Sequence, residues 1–118
     1  MPEIYEQINQ LISNITGVHG KEYTIGKFTG LGWLNFHYVC STYDGPYPRI
    51  SLKQYEKTVN VYYALWEDGQ GVVEGYKDVF GKSNVGKNCI RIRKLDEQKI
   101  AALEELTRIA LTKGTETI

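Results

Sequence analysis

The chain has few of the residues that build covalently cross-linked or metal-stabilised folds. Its 118 residues include two cysteines, two histidines, three prolines and one methionine. Cys40 and Cys89 are too few and too far apart for a disulfide framework or a four-ligand zinc site. We therefore expect a reducing, cytoplasmic location and a fold that is stabilised by its apolar core alone.

Long apolar runs and an excess of one charge are also missing. No stretch approaches the roughly 18 apolar residues of a membrane span, and the N-terminal segment lacks the basic start and apolar run of a signal peptide. We therefore expect no membrane association and a mature chain that begins at Met1. Fourteen basic side chains balance fourteen acidic ones, which argues against nucleic acid as a partner because binding it usually needs a more basic domain.

The remaining composition is typical of one globular domain, which we place over residues 1–118 because 42% of the residues are hydrophobic and 24% are charged. Apolar periodicity predicts helices, and Val- and Tyr-rich runs separated by the turn sequences "DGPYP" and "EDGQG" predict strands. The expected elements are a helix over Ile4–Ile15, strands at 22–25, 32–42, 49–55 and 58–67, a helix over Val72–Phe80, a strand at 88–93 and a helix over Asp96–Lys113.

These elements predict an α+β fold in the order α-β-β-β-β-α-β-α. Short turns between consecutive strands favour an antiparallel sheet of four to five strands. We expect an N-terminal helix before the sheet and the two helices of the C-terminal half packed on one face of it, with the other face open.

The stretch "GKSNVGKN", from Gly81 to Asn88, differs from the phosphate-loop pattern only at its last residue. A phosphate loop must leave a strand and enter a helix, whereas here a predicted helix precedes the stretch and a predicted strand follows it. Asn88 also replaces the hydroxyl residue that would bind magnesium. Gly81 is better interpreted as a left-handed residue that ends the preceding helix, so we expect no nucleotide cofactor.

The same region carries a family resemblance. A helix ending in "FGK", a short loop and the segment "GKNCIRIRKLDEQKIAALEEL" are similar to the end of YdhG-like domains of unknown function, and "NFHYVCSTYDGPYPRISLKQYEKTVNVYYAL" resembles their central section. The match covers roughly residues 34–106. The resemblance implies the same α+β fold, and it implies an intracellular, frataxin-like iron-carrier role only by analogy, because some relatives are so described.

Side-chain alternation along the strands predicts which residues face the helices. We expect Leu34, Phe36, Tyr38 and Cys40 to belong to the core. The core should also contain Ile50, Leu52, Val59, Val61, Tyr63, Leu65, Ile90 and Ile92. The opposite, open face should then be rich in cations and tryptophan and poor in carboxylates.

We expect this open face to be the functional surface, binding an anionic or aromatic small molecule or a protein partner. Guanidinium groups bind carboxylate or phosphate in a bidentate manner, and aromatic rings give a large contact area for little loss of entropy. Packing of the same face in a homodimer is the open alternative. The candidate residues are Trp33, Tyr62 and Trp66 as apolar contacts, Arg49, Lys53, Arg91 and Arg93 as anchors, and His37 beside them.

Thiol catalysis is a weaker hypothesis. His37 and Cys40 lie three positions apart on one strand. Because this separation is odd, their side chains should point to opposite faces, with Cys40 buried. Cys89 lies beside Arg91, which could lower the pKa of a thiol. Packed strand cysteines are nevertheless common, and we predict no catalytic residue and no enzymatic activity.

The iron-carrier role would need clustered oxygen ligands. Glu3 and Glu6 lie about one turn apart on the first helix, where acidic residues also stabilise the positive end of the helix dipole. Glu97, Glu104 and Glu105 are typical of a solvated helix face. We therefore predict no tight metal site, and we keep the iron carrier as the alternative function that the resemblance implies.

Overall fold

An antiparallel sheet of five strands forms the centre of the computed structural model, which describes residues 2–113, with only the backbone for Pro2. The expected start of the chain at Met1 lies outside this range. The strands, in their order across the sheet, are β1 (Lys21–Ile25), β2 (Phe28–Cys40), β3 (Tyr43–Gln54), β4 (Val59–Tyr63) and β7 (Cys89–Ile92). The predicted α+β class and antiparallel sheet are therefore confirmed.

Two long helices pack against each other on one face of the sheet. They are α1 (Pro2–Thr16) and α3 (Glu97–Lys113), and both also contact β3. The Asp96 side chain caps α3, because its Oδ1 accepts a hydrogen bond of 2.8 Å from the backbone N–H of Lys99. The apolar stripes of the two helices, with Ile8, Ile12, Leu103 and Leu106 fully buried, close the main core.

The main core has the strand residues that alternation predicts for β3, β4 and β7. Ile50, Leu52, Val59, Val61, Tyr63, Ile90 and Ile92 are all buried against the helices. These side chains form rows that cross the sheet: Leu52 pairs with Val61, for example, and Val61 pairs with Ile90. Directly opposite residues of antiparallel strands share a face, so the pairing fixes this row as one apolar surface.

For most of β2, the sequence analysis predicts the wrong face of the strand to be buried against the helices. Trp33 pairs with Ile50, so its indole belongs to the main core and is 2% exposed, whereas Phe36 and Tyr38 lie on the opposite face. Leu34 alone packs against the core as predicted, and it does so with an unusual φ of 59°. Both faces of β2 carry large apolar side chains, so hydrophobicity alone cannot identify the buried face.

The turn between β2 and β3 also differs from the prediction. It lies at residues 41–42, and the "DGPYP" segment at 44–48 is part of β3. This half of β3 pairs with β2 but lies beyond the register of β4. Prolines are tolerated where a strand has a neighbour on one side only, which explains why Pro46 and Pro48 do not end the strand. The hairpin tip therefore extends past the core, and Cys40, predicted to be buried, is exposed there.

A small second hairpin connects β4 to the C-terminal half. It consists of β5 (Trp66–Glu67) and β6 (Gln70–Gly71), joined by Asp68 and Gly69 with φ values of 52° and 78°. Positive φ at both turn positions matches the twist of a tight hairpin, and Asp-Gly is a favoured sequence for it. The predicted strand over 58–67 is thus split, with Ala64 and Leu65 between its two parts.

The predicted helix over Val72–Phe80 is present, but its first half is a 3₁₀ segment (Val72–Tyr76) that leads into α2 (Lys77–Phe80). Gly81 follows it with a φ of 93°, and its N–H donates to the Lys77 carbonyl over 2.9 Å. Gly81 ends the helix with a positive φ as predicted, but its ψ of 133° lies outside the predicted left-handed helical region. Because a helix precedes the "GKSNVGKN" stretch and β7 follows it, the element order is the reverse of a phosphate loop.

We predict that Gly71→Ala destabilises the protein by about 3 kcal/mol, a typical cost of forcing extra volume into a packed site. A Cβ atom at Gly71 would lie 1.6 Å from the backbone oxygen of Lys87, so the strand or the loop would have to move. Gly75→Ala is the matched control, because a Cβ at Gly75 meets nothing within 4 Å. Urea unfolding measures both variants, and equal midpoints would contradict the prediction.

Candidate functional site

The face of the sheet opposite the helices carries eight aromatic rings in two contacting groups, and we call it the aromatic face. In one group the Phe28 ring meets the edge of Tyr62 at 5.3 Å and lies 5.7 Å from Tyr23. In the other, Tyr38 stacks on Trp66 with ring centroids 5.6 Å apart and planes 7° apart. The remaining members of this second group are Phe36, Tyr43 and Tyr47.

Two cavities lie between these rings. The larger, of about 230 Å³, is lined by Tyr23, Ile25, Phe28, Tyr47, Ser51 and Tyr62. The smaller, of about 90 Å³, shares Tyr47, Ser51 and Tyr62 with it and continues towards Tyr38 and Trp66. Because Tyr47, Ser51 and Tyr62 line both cavities, the two lie side by side, and we call them together the aromatic cleft.

Hydrogen bonds fix the polar atoms of the cleft. The hydroxyls of Tyr23 and Ser51 are 2.7 Å apart, and Tyr62 Oη lies 3.2 Å from Tyr55 Oη. Asn60 Nδ2 donates weakly to the same Tyr62 oxygen over 3.4 Å. These bonds hold the Tyr23 and Tyr62 rings at fixed angles, so the aromatic walls are pre-organised.

Burial keeps the tyrosines of the cleft in their neutral form. It raises the pKa of Tyr23 to about 12, and it also raises the pKa values of Tyr47 and Tyr62 above the usual range. The hydroxyls therefore stay hydrogen-bond donors and acceptors across the physiological pH range. The cleft presents neutral dipoles and π faces, with no phenolate.

Three of the predicted site residues meet at this cleft. Tyr62 and Trp66 are half-buried in its walls, as the open-face prediction expects. Lys53 stands beside it, with Nζ 5.1 Å from the Phe28 centroid and 5.5 Å from that of Tyr55. The same ammonium donates a 2.6 Å hydrogen bond to the Thr29 carbonyl, which fixes the cation at the rim of the cleft.

Arg49 has a different environment from the predicted one. It is 2% exposed, its guanidinium carbon lies 3.8 Å from the Phe36 centroid, and its Nη1 donates a 2.9 Å hydrogen bond to the Ala64 carbonyl. The prediction of an exposed anchor for anions is therefore wrong. Arg49 instead joins β3, β2 and the end of β4 beneath the aromatic face, because stacking and hydrogen bonding compensate its desolvation.

The remaining predicted residues lie away from the cleft. Arg91 donates to the Ser83 carbonyl and Arg93 donates to Asn84 Oδ1, so both contact the 3₁₀ segment over Lys82–Asn84. Trp33 is in the core, contrary to prediction. His37 is exposed at the hairpin tip, on the side opposite Phe36 and Tyr38, and its Nε2 lies 2.5 Å from Asp44 Oδ1.

The thiols do not support the cysteine hypothesis. Burial raises the pKa of Cys89 and outweighs the lowering effect of Arg91, so the thiol is not activated by that arginine. Cys40 has a lowered pKa because Thr42 hydrogen-bonds to its sulfur, and the thiol is exposed at the hairpin tip. Cys40 pairs with Tyr43 at the end of β2. His37 lies three residues earlier on the same strand, so the two side chains are on opposite sides of it.

Metal ligands and membrane-spanning helices are absent from the described part of the chain. Within residues 2–113, no three His, Cys, Asp or Glu side chains come together in a way that could hold a metal ion. None of the helices in the same range has both the length and the apolar composition needed to cross a bilayer.

Comparisons of the chain with models of protein families, with curated proteins and with solved structures found no match. The resemblance to YdhG-like domains therefore stays a prediction.

The sequence analysis identifies only two of the six aromatic residues that line the cleft, Tyr62 and Trp66. Tyr23, Phe28 and Tyr47 are not among its candidate residues, and it places Tyr38 in the core. A usable signal was the count of nine tyrosines in 118 residues, since tyrosine combines an apolar ring with a hydroxyl and suits a half-buried surface. Most of these tyrosines occur in the strands that form the aromatic face.

We predict that Arg49→Met lowers the free energy of unfolding by about 2 kcal/mol. The variant keeps the buried apolar stem but leaves the buried Ala64 carbonyl without its guanidinium donor. Arg93→Met is the matched control at an exposed position and should change stability by no more than about 0.5 kcal/mol. If chemical denaturation showed the same decrease in the free energy of unfolding for Arg49→Met and Arg93→Met, the structural role of Arg49 would be rejected.

A second prediction concerns alkaline pH. The pKa of Tyr23 is about 12 in the folded protein and about 10 in an unfolded chain. The unfolded state therefore loses this proton first as pH rises. The stability that the protonated Tyr23 hydroxyl contributes is complete below about pH 10 and decreases as pH rises towards about 12. Tyr23→Phe should lose less stability than the parent between about pH 9 and pH 11.5. A larger loss in the variant, measured by urea unfolding, would contradict this assignment.

Proposed function

We propose that the protein is a non-enzymatic binding domain whose aromatic cleft takes a small planar aromatic molecule that is neutral or anionic. The observation that carries the proposal is the cavity of about 230 Å³ between the rings of Tyr23, Phe28, Tyr47 and Tyr62. Flat π surfaces on several sides of a small cavity favour a flat ligand, because edge-to-face and offset-stacked contacts both become available.

Polar atoms at the base of the cleft add a requirement for hydrogen bonding. The Ser51 hydroxyl lines both cavities, and Asn88 Oδ1, whose residue lines the smaller one, has no hydrogen-bond partner within residues 2–113. A hydroxyl is both donor and acceptor, whereas an amide oxygen only accepts. The Asn88 oxygen is itself fully buried, so the side-chain hydroxyl of Ser51 is the group that could form a hydrogen bond with a planar ligand.

The charge around the cleft distinguishes this ligand class from a cation. Aromatic cages also bind quaternary ammonium groups, but the lining residues of the two cavities include no carboxylate, and Lys53 stands at the rim. Arg91 points to the same face, since it pairs with Asn60, which is opposite Lys53. Arg91 lies away from the cleft, so Lys53 is the cation that would repel a cationic ligand and attract an anionic one.

The alternatives remain less well supported. The iron-carrier role has no clustered ligands in the described part of the chain. A homodimer through the aromatic face would cover the same rings, and the mass in solution tests it directly. A cytoplasmic location is still the one we propose, because the two cysteines are both free thiols.

We predict that the free protein selects ligands by charge. Ligand-observed NMR with benzoate, indole and trimethylphenylammonium should show binding of the first two, and the cation should bind at least about tenfold more weakly, since each tenfold step corresponds to about 1.4 kcal/mol. Lys53→Gln should reduce the difference in binding affinity between benzoate and trimethylphenylammonium. Equal binding of all three probes, or of none, would refute the proposed ligand class.

We also predict that Phe28→Leu weakens indole binding by roughly three- to tenfold, because leucine keeps an apolar side chain but lacks the π surface that contributes about 0.5–1.5 kcal/mol. Val39→Ala is the matched control, since Val39 is exposed near the hairpin tip and away from the cleft. Light scattering on the same samples reports the mass. A dimer that dissociates in Phe28→Leu while indole affinity stays unchanged would favour the homodimer.

A further inference from the structure

The outer half of β2 is an open edge of the sheet. β1 pairs with β2 only as far as Gly32, whereas β3 pairs with the other side of β2 as far as Cys40. Within residues 2–113, no other strand or loop pairs with residues 34–40, which we call the β2 edge. The backbone groups of such an edge are a template to which another strand can add.

Two prolines of β3 show which backbone groups of the β2 edge point outwards. Pro46 pairs with His37, and Pro48 pairs with Asn35. A proline has no N–H, so neither pair can exchange two hydrogen bonds, and the bonds of this ladder run through the pairs that alternate with them. The residues whose N–H and C=O groups point away from β3 are therefore Asn35, His37 and Val39.

The other edges of the sheet are protected against the addition of a strand. β1 begins with two charged residues, and a bridge from Val85 to Ile90 covers part of β7. On the outer half of β3, the nitrogen atoms of the two prolines point away from β2 and offer no donor. The β2 edge lacks all of these features, because residues 28–43 include no Asp, Glu, Lys or Arg. An unprotected edge of this kind is typical of a strand that has a partner.

The outward groups of the β2 edge are complementary to those of a second copy. If His37 of one copy lies opposite His37 of the other, Asn35 lies opposite Val39, and every outward N–H faces an outward C=O. We propose that two copies of this chain pair their β2 edges in antiparallel orientation about a two-fold axis at His37. Such an isologous contact forms about six backbone hydrogen bonds and joins the two sheets into one.

The side chains of the two edges are compatible with this pairing. Phe36 lies opposite Tyr38 of the second copy, and aromatic cross-strand pairs stabilise antiparallel strands. The two His37 rings meet on the other face, where Asp44 Oδ1 lies 2.5 Å from His37 Nε2 and supplies a negative charge to each ring. The β2 edge has no lysine, arginine or carboxylate, so the two copies approach without repulsion between permanent charges.

Amide hydrogen exchange of the purified full chain, measured by NMR, tests the pairing residue by residue. A short edge contact belongs to the small interfaces, so we expect a dissociation constant on the order of 100 µM. Raising the protein concentration from about tenfold below this value to about tenfold above it should slow the exchange of the Asn35, His37 and Val39 amides by roughly fourfold, because only the monomer exposes them. The Phe36 and Tyr38 amides bond to β3 and should show no such dependence.

Sedimentation on the same samples should show the mass rising from monomer to dimer over this range. A monomer at every concentration would overturn the proposal. Exchange at the three outward amides that does not depend on concentration would overturn it as well, even if a dimer formed.

Two variants test the contact through different interactions. His37→Lys places like charges directly opposite each other and should weaken the dimer by roughly threefold or more. Val39→Pro removes one outward N–H from each copy and should weaken it by roughly tenfold or more. Leu111→Lys, at an exposed apolar residue of α3, is the matched control and should leave the dimer unchanged. Protected Phe36 and Tyr38 amides show that the hairpin is still folded in each variant. A dissociation constant that neither edge variant changes, or that Leu111→Lys changes equally, would overturn the proposal.

This inference is independent of the proposed function, because the edges meet at the side of the sheet whereas the cleft opens on its aromatic face. Phe28→Leu should leave the dimer unchanged, and Val39→Pro should leave indole binding unchanged. A dimer that dissociates in Phe28→Leu, with the outward amides of the β2 edge exchanging fast at every concentration, would pair through the aromatic face and would overturn the edge pairing. Loss of indole binding alone would leave the edge pairing supported, so the two proposals can fail separately.

Discussion

The pairing of Trp33 with Ile50 determines how the rest of the molecule is arranged. It directs the indole of the longest strand towards α1 and α3, and through alternation it turns Phe36 and Tyr38 to the other side. If this strand shifted by one residue, the indole would leave the core and two aromatic rings would enter it. The main core and the aromatic face therefore depend on one register.

The two faces of the sheet are stabilised differently. The helix side is packed mainly by buried aliphatic residues together with Trp33, Tyr63 and Phe80, and the Tyr63 hydroxyl lies 3.0 Å from Thr107 Oγ1 as a polar link to α3. The aromatic side instead combines rings, hydroxyls and one buried guanidinium. Aliphatic packing fills volume efficiently, whereas rings held at angles by hydrogen bonds leave spaces between them. The cleft is thus a consequence of the residue types on that side.

The fold was largely predictable from the sequence, and the site was predictable only in part. Helical stripes such as Ile8 with Ile12 have one apolar side, so periodicity identifies them. β2 has large apolar residues on both sides, and only its pairing with β3 shows which side is buried. Tyr62 and Trp66 could be found by alternation from Val61 and Leu65. Arg49 could not be recognised as buried, because its stacking on Phe36 depends on tertiary contacts.

The β2–β3 hairpin has a consequence for how this fold could diversify. Its outer half, around the turn at residues 41–42, pairs with itself and extends beyond the register of β4, so its side chains scarcely contribute to the core. Insertions or exchanges there should leave folding intact while altering the rim that Tyr38 and Tyr43 form beside Trp66. The shape of this rim could therefore change by drift at the hairpin tip, with the helices and the central strands serving as an unchanged scaffold.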